Sequence, residues 1–338
     1  MAKNNPFGVL EFLHWNHAWN SYKYPDQKSL EKAIALMKEL GAGFVRIDFL
    51  WEDIEPEKGR LKFAKYDTIV DLLCKNNLGI LGLLNYSATW DSPTGKWNDP
   101  SADHKNFVNY ALKVIQRYKD GVKYWEAWNE PDSAIYWAQQ DGLQSYCALL
   151  KEVYAAAKAE DSGCKILNGG FANGISSVKR LYENGAKDYF DILNIHIFEY
   201  PLPDNAINMA QDYIRSANEV MRKNQDADKK IWITEIGCPG VKDGLQVKNW
   251  WMGLNPTEEQ QRDWASRVFS ALIKEKSVEK IFWAFFRDCL GHWEDGIDYF
   301  GLVRWDYSKK PAFFAYQNCF RNWVERPNDS LINVTGRK

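Results

Sequence analysis

No stretch of the 338-residue sequence stays apolar for anything like the ~20 residues that a helix needs to cross a bilayer. A membrane is therefore not an expected partner. Excess charge is lacking too: 43 Lys and Arg stand against 45 Asp and Glu, a formal net charge of -2. That balance supplies no basic field for a phosphate backbone and no strong steering of acidic ligands, so nucleic acid is not expected either. The six cysteines, Cys74, Cys147, Cys164, Cys238, Cys289 and Cys319, include no Cys-x-x-Cys pair. Their scatter argues against a zinc site or a redox couple and reads as buried thiols. The opening Met-Ala-Lys-Asn-Asn-Pro has no apolar core of a signal peptide. A chain already trimmed of an export signal would read the same way, so the compartment stays open. Also missing are a Gly-x-Gly-x-x-Gly after the first strand-like run, which lowers the standing of an open dinucleotide-binding sheet, and a Pro/Ser/Gly-rich linker that would divide the chain.

Aromatic residues, by contrast, are plentiful: 15% of the chain, with 16 Trp, within a composition that is 45% hydrophobic and 26% charged. Such a chain folds around a large core. Tryptophan fills cores, and it also offers a flat apolar face to ligands such as sugar rings. Trp125, Trp232 and Trp264 fall inside regular elements and read as core. Trp15, Trp19, Trp90, Trp250, Trp251 and Trp293 fall in loops after strand-like runs and are the candidate ligand platforms.

Eight short runs rich in β-branched and aromatic residues recur along the chain: Phe7–Leu13, Gly43–Asp48, Gly79–Leu84, Tyr124–Asn129, Lys165–Leu167, Asp191–Ile197, Lys230–Thr234 and Lys280–Phe286. Several are apolar almost throughout, as strands covered on both faces are. Between them lie segments of helical period. In Gln27–Leu40, Leu30, Ala33, Ile34, Met37 and Leu40 share one face, and Tyr66–Asn76, Asp103–Tyr118, Gly142–Asp161, Ser176–Asn184, Ala206–Lys223, Thr257–Lys276 and Pro311–Trp323 follow in turn. Strand–helix alternation of this kind predicts an α/β fold, a single (β/α)₈ TIM barrel over residues 1–325, with a polar C-terminal tail over 326–338. A monomer is expected. The longest non-helical stretches, about 237–256 and 287–310, follow strands seven and eight and belong to the catalytic face of such a barrel.

Two carboxylates then stand out. Tyr124-Trp-Glu-Ala-Trp-Asn-Glu-Pro-Asp132 is an apolar strand ending in Asn129-Glu130, stopped by Pro131. Lys230-Ile-Trp-Ile-Thr-Glu-Ile-Gly237 places Glu235 at the end of strand seven, 105 residues further on. Three intervening βα units set strands four and seven across the barrel, with both carboxylates at one mouth. Glycosidic bond cleavage calls for such a pair, because its transition state resembles an oxocarbenium ion: one carboxyl gives a proton to the leaving oxygen while the other meets positive charge at carbon. An ionised Glu235 would disfavour ionisation of a nearby Glu130 and raise its pKa.

With these motifs in place, the chain resembles glycoside hydrolase clan A, and within it family 39 and its smaller single-barrel relatives. Further matching segments are Arg46-Ile-Asp-Phe-Leu-Trp-Glu-Asp-Ile-Glu-Pro-Glu-Lys-Gly59, Tyr66-Asp67, Asn85-Tyr-Ser-Ala-Thr-Trp90, Thr257-Glu-Glu-Gln-Gln261 and Lys310-Pro-Ala312. The resemblance implies Glu130 as acid/base, Glu235 as nucleophile, retention of anomeric configuration, Asn129 on the sugar 2-hydroxyl and Arg46 holding Glu235 ionised. It further implies His196 beside the catalytic pair and Trp283 beneath the reacting sugar. Where the family often has Tyr to support the nucleophile, this sequence has Phe198, with Tyr200 further along. His14 and His17 could reach sugar hydroxyls, and Trp90 could act as a platform.

No metal is expected, since His14-x-x-His17 is not on a helix, and hydrolysis by two carboxylates requires no cofactor. The expected partner is an oligosaccharide or polysaccharide substrate, with a lean toward endo action. A transglycosylase would use the same two glutamates, and a carbohydrate-binding barrel without turnover is the reading from another class. Retention of Arg46, Asn129, Glu130 and Glu235 together argues against the latter. A phosphate-gripping barrel finds only the poor candidate Gly237-Cys-Pro-Gly240.

Overall fold

Runs of apolar, β-branched residues form the strands. In chain order they are β1 (Phe7–Leu10), β2 (Phe44–Leu50), β3 (Gly79–Asn85), β4 (Tyr124–Ala127), β5 (Lys165–Asn168), β6 (Ile192–Ile197), β7 (Lys230–Ile236) and β8 (Val278–Ala284). The computed structural model describes residues 4–325, and the tail expected over 326–338 lies outside them. The strands are all parallel and close in sequence order, β8 pairing with β1. This is the (β/α)₈ barrel that the strand–helix alternation predicts.

The helices are α1 (Gln27–Leu40), α2 (Trp51–Ile54), α3 (Ala64–Lys75), α4 (His104–Tyr118), α5 (Gln144–Glu160), α6 (Ile175–Glu183), α7 (Ala206–Lys223), α8 (Glu258–Leu272) and α9 (Pro311–Val324). Their starts follow local chemistry. Asp26 accepts from the Ser29 N–H at 2.8 Å to cap α1, and Thr257 and Gln260 form a reciprocal capping box at α8. The one-turn α2 is too short to show a helical period, so the sequence pattern missed it. β1 also ends earlier than expected, at Leu10, and the next residue, Glu11, forms a buried ion pair with Lys23 at 2.6 Å.

The barrel floor is apolar: Phe44, Leu81, Leu167, Ile192, Trp232 and Phe282 fill it, with Tyr124 packed against them. Trp232 is thus core, as its strand position predicts. At Gly8 an added Cβ would stand 2.5 Å from the Phe282 ring, so only glycine lets that ring reach the barrel axis. Above the floor the inward positions turn polar, with Arg46 on β2, Glu126 on β4, Asn194 and His196 on β6 and Thr234 on β7 all buried. Pairing of β7 slips against both neighbours, so that His196 stands opposite Glu235 while Ile195 stands opposite Ile233. The slip brings both Thr234 and Glu235 to the interior.

Candidate active site

Alternation along β4 carries Tyr124 and Glu126 inward, but the chain then departs from it. Trp128 and Glu130 adopt left-handed φ values of 70° and 43°. Such values are uncommon outside glycine, and they let consecutive residues Asn129 and Glu130 both face the mouth. Arg46, from the second strand, ties the site together. Its Nε and Nη2 donate to the two Glu126 oxygens at 2.6 and 2.9 Å, Nη2 also to Asn129 Oδ1 at 2.8 Å, and Nη1 to Glu235 Oε1 at 2.7 Å. Asn129, its carbonyl fixed in this way, turns its amide to Tyr86 Oη at 3.1 Å. His196 Nδ1 lies 2.7 Å from Glu130 Oε1, and its Nε2 lies 3.0 Å from Thr234 Oγ1.

The two carboxylates face different electrostatics. Burial pushes Glu130 up to about 8, with Asp132 and Glu126 adding to the rise and Arg46 opposing it. The lift thus comes chiefly from desolvation, not from the charge of Glu235 that the sequence reading invoked. Burial also raises Glu235, but here Arg46 opposes the rise through a direct hydrogen bond. His196 is pushed below its usual value by burial and is therefore neutral. Glu130, His196 and Glu235 each place one potential ligand atom within 4.8 Å of the others. A cation there would have to break the contacts to Thr234 and Arg46 and sit beside a guanidinium, which makes this a poor metal centre.

Comparison with known proteins agrees with this fold. Residues 86–296, well over half of the chain, match the family model of the glycosyl hydrolase catalytic core. The chain belongs to that family. A beta-galactosidase model also matches residues 19–95 of this glycosyl hydrolase. Avenacosidase 2 from Avena sativa is 27% identical over 154 residues, covering 42% of this chain and 25% of the relative. A 6-phospho-beta-glucosidase from Clostridium longisporum is 32% identical over 154 residues, 39% of this chain and 32% of the relative. The match therefore spans a quarter to a third of the length of these curated relatives. Among solved structures, a family 39 glycoside hydrolase from Bacteroides cellulosilyticus WH2 superposes with TM-score 0.73 at 21% identity, over 94% of this chain and 64% of its own. A monomeric beta-xylosidase from Caulobacter crescentus CB15 gives 0.71 at 14%, over 93% and 67%. A GH5_18 protein from Streptomyces cattleya, in complex with GlcNAc, gives 0.70 at 15%, over 97% and 82%. Likeness at these identities speaks for a shared barrel.

In this glycosyl hydrolase five of the sequence-designated residues come together: Arg46, Asn129, Glu130, His196 and Glu235. Trp283 does not join them. Phe282 and Ala284 take the inward positions of β8, while Trp283 is wholly buried on the helix side, stacked near Phe269 of α8 at 6.3 Å with its indole N–H on Phe300 O at 2.8 Å. It cannot lie beneath a sugar, because strand alternation turns it outward. His14 is enclosed as well. Its Nε2 lies 3.2 Å from Tyr66 Oη, and burial drives its pKa down to about 3. Trp90 stands edge-on to Trp51 at 5.2 Å, its N–H held by Glu55 O at 2.7 Å. Tyr200 packs beside Trp250, ring centres 6.4 Å apart, in the rim after β6 and β7.

A pocket is lined by His17, Trp19, Glu52, Asp53, Asn85, Tyr86 and Trp97, and Tyr86 connects it to Asn129 beside the carboxylates. Asp48, Asn85, Tyr86, Trp97, Glu126 and Tyr136 were not designated as site residues by the sequence reading. A signal was present for some of them: Glu126 shares the parity of Tyr124, Asp48 that of Arg46, and Asn85 that of Leu81 and Leu83. Asp48 accepts from Asn85 Nδ2 at 2.9 Å, and burial lifts it to about 6 against the pull of Arg46.

Proposed function

We propose that the chain hydrolyses β-linked glycosides with retention of anomeric configuration, Glu130 serving as acid/base and Glu235 as nucleophile. One observation carries the reading: Glu130 and Glu235 bring carboxylate oxygens within 4.8 Å of each other, and Arg46 is hydrogen-bonded to Glu235. Retaining enzymes keep their carboxyl groups ~5–5.5 Å apart, whereas inverting ones need ~6.5 Å or more to admit a water between them. Oε1 of Glu235 is held by Arg46, which leaves Oε2 to attack the anomeric carbon. Glu130 protonates the departing oxygen, and its carboxylate then takes a proton from the water that releases the sugar. The β linkage follows those relatives whose names print it, the 6-phospho-beta-glucosidase and the beta-xylosidase, together with the beta-galactosidase model.

The walls of the site suit an oligosaccharide. Asn85 Oδ1 and Trp19 Nε1 are buried without hydrogen-bond partners among the described residues, and sugar hydroxyls would satisfy them. Aromatic surface flanks the carboxylates on two sides: Trp97, 44% exposed, beside Tyr86 and Tyr136, and Trp251, 56% exposed, packed edge-on to Phe198 at 5.3 Å. Two such faces extend beyond a single ring. The test is sugar release from a panel of β-glycans and aryl β-glycosides by wild type and Glu235→Gln, with the first-formed anomer read by proton NMR. Release of the β anomer by wild type alone is expected. An α product would overturn retention, and calorimetric binding with no release by either protein would make the chain a binding barrel.

A further inference from the structure

A line of buried groups runs behind Glu130, and its hydrogen-bond directions are fixed from the far end. The Asn168 side chain is pinned by main chain: Nδ2 donates to Gly169 O at 2.8 Å and Asn194 O at 2.9 Å, and Oδ1 accepts the Asn194 N–H at 2.8 Å. Asn194 Nδ2 donates to Asn168 O at 3.1 Å. A backbone carbonyl can only accept, so the amide must present its nitrogen there and its oxygen to Thr234. Thr234 therefore donates its hydroxyl hydrogen to Asn194 Oδ1, at 2.7 Å, and has only lone pairs left for His196 Nε2, at 3.0 Å. Nε2 must then carry the imidazole hydrogen, and in a neutral ring Nδ1 is left as a bare lone pair, 2.7 Å from Glu130 Oε1. Asn168, Asn194 and Thr234 are wholly buried, and the imidazole packs so closely on Gly170 that a Cβ there would overlap it.

We infer that Thr234, oriented by Asn194 and Asn168, is a positioning residue that fixes His196 as the Nε2–H tautomer and so keeps the acid's proton on Glu130. The inference rests on the acid/base reading of Glu130. In the resting site the Glu130 hydroxyl donates to Nδ1. When a glycosidic oxygen arrives, the carboxyl turns about its terminal bond, a soft torsion, and offers it the same proton. Once that proton has left, the Glu130 carboxylate faces a lone pair, a repulsion that favours taking a proton back from the incoming water. The charged and titratable groups around the pair are Asp132 on the loop after β4, Glu126 on β4, Arg46 on β2 and Glu235 on β7, and the tautomer adds to their fields.

The direct test needs no substrate: ¹⁵N NMR of histidine-labelled protein, with the His196 signals assigned by their loss in His196→Asn. A neutral ring protonated on Nε2 is expected. A ring protonated on Nδ1, or on both nitrogens, near neutral pH would overturn the inference. The second test is the alkaline limb of kcat/KM. In Thr234→Val the Nε2–H loses its acceptor, the Nδ1–H tautomer becomes accessible and stabilises the Glu130 carboxylate, so the limb should move about one pH unit down. Thr234→Ser should return it to the wild-type position. A limb unmoved in Thr234→Val, in an active enzyme, would sink the positioning role and leave the hydrolase standing. A wild type that releases no sugar would sink the hydrolase, while the NMR result would still decide the tautomer.

Discussion

Arg46 Nη1 lies 2.7 Å from Glu235 Oε1, and this contact gives one of the two buried carboxylates of the mouth a counter-charge that the other lacks. Glu235 has a guanidinium to balance its charge, whereas Glu130 has a neutral imidazole at 2.7 Å and holds its proton to about pH 8. Activity should therefore fall as pH rises through about 8, the range in which Glu130 becomes ionised. Replacing Glu130 with Gln should cost ~10²–10⁴-fold on substrates with poor leaving groups, and far less on dinitrophenyl glycosides, which depart without a proton. Rate profiles over pH for both substrate types check this.

The same group makes stability depend on pH. The folded Glu130 keeps its proton to about 8 and the unfolded one only to its ordinary 4.5. Its contribution is thus fully present below about 4.5 and is lost as pH rises to about 8. Glu130→Gln, neutral throughout, should be more stable than wild type near pH 8 and close to it at pH 4.5, with the gap widening between. Melting temperatures of the two proteins across that range measure it, and a constant gap would show that burial does not hold the proton on Glu130.

Glu126 is wholly buried, and both its oxygens lean on Arg46. Arg46→Met would leave that carboxylate without its counter-charge, a loss of ~3–5 kcal/mol. Arg46→Lys keeps the charge but cannot span Glu126, Asn129 and Glu235 at once, so it should fall between in stability and still lose most activity. Urea denaturation beside kcat/KM separates the two effects.

The barrel and the glutamates were legible because they rest on local signals: apolar runs, helical period, and carboxylates placed where strands stop. Parity was legible in principle but was not weighed against the resemblance, which placed Trp283 beneath the sugar when alternation turns it toward α8. Glu126 was passed over for the same reason, although it shares a strand face with Tyr124. The slip of β7 that sets both Thr234 and Glu235 inward, and the left-handed turn at Trp128, depend on neighbours distant in sequence, and no local pattern encodes them. The pocket beside the carboxylates is assembled from the ends of three strands and their loops. The surroundings of Trp97 likewise depend on the fold, which packs Tyr86 and Tyr136 edge-on against its ring.

That contrast can be read in two tryptophans. Trp283 is wholly buried among Phe269 and its neighbours, so Trp283→Ala should cost ~3–5 kcal/mol of stability, as large core truncations do. The fraction that stays folded should keep the wild-type KM. Trp97 is 44% exposed and packs on Tyr86 at 4.7 Å between ring centres. Its removal should leave stability within ~1 kcal/mol while raising KM for oligosaccharides on the order of threefold to tenfold, the worth of one aromatic face. Should Trp283→Ala instead raise KM in a protein that melts like wild type, the ring would have to face the substrate, and the outward orientation of Trp283 would be wrong.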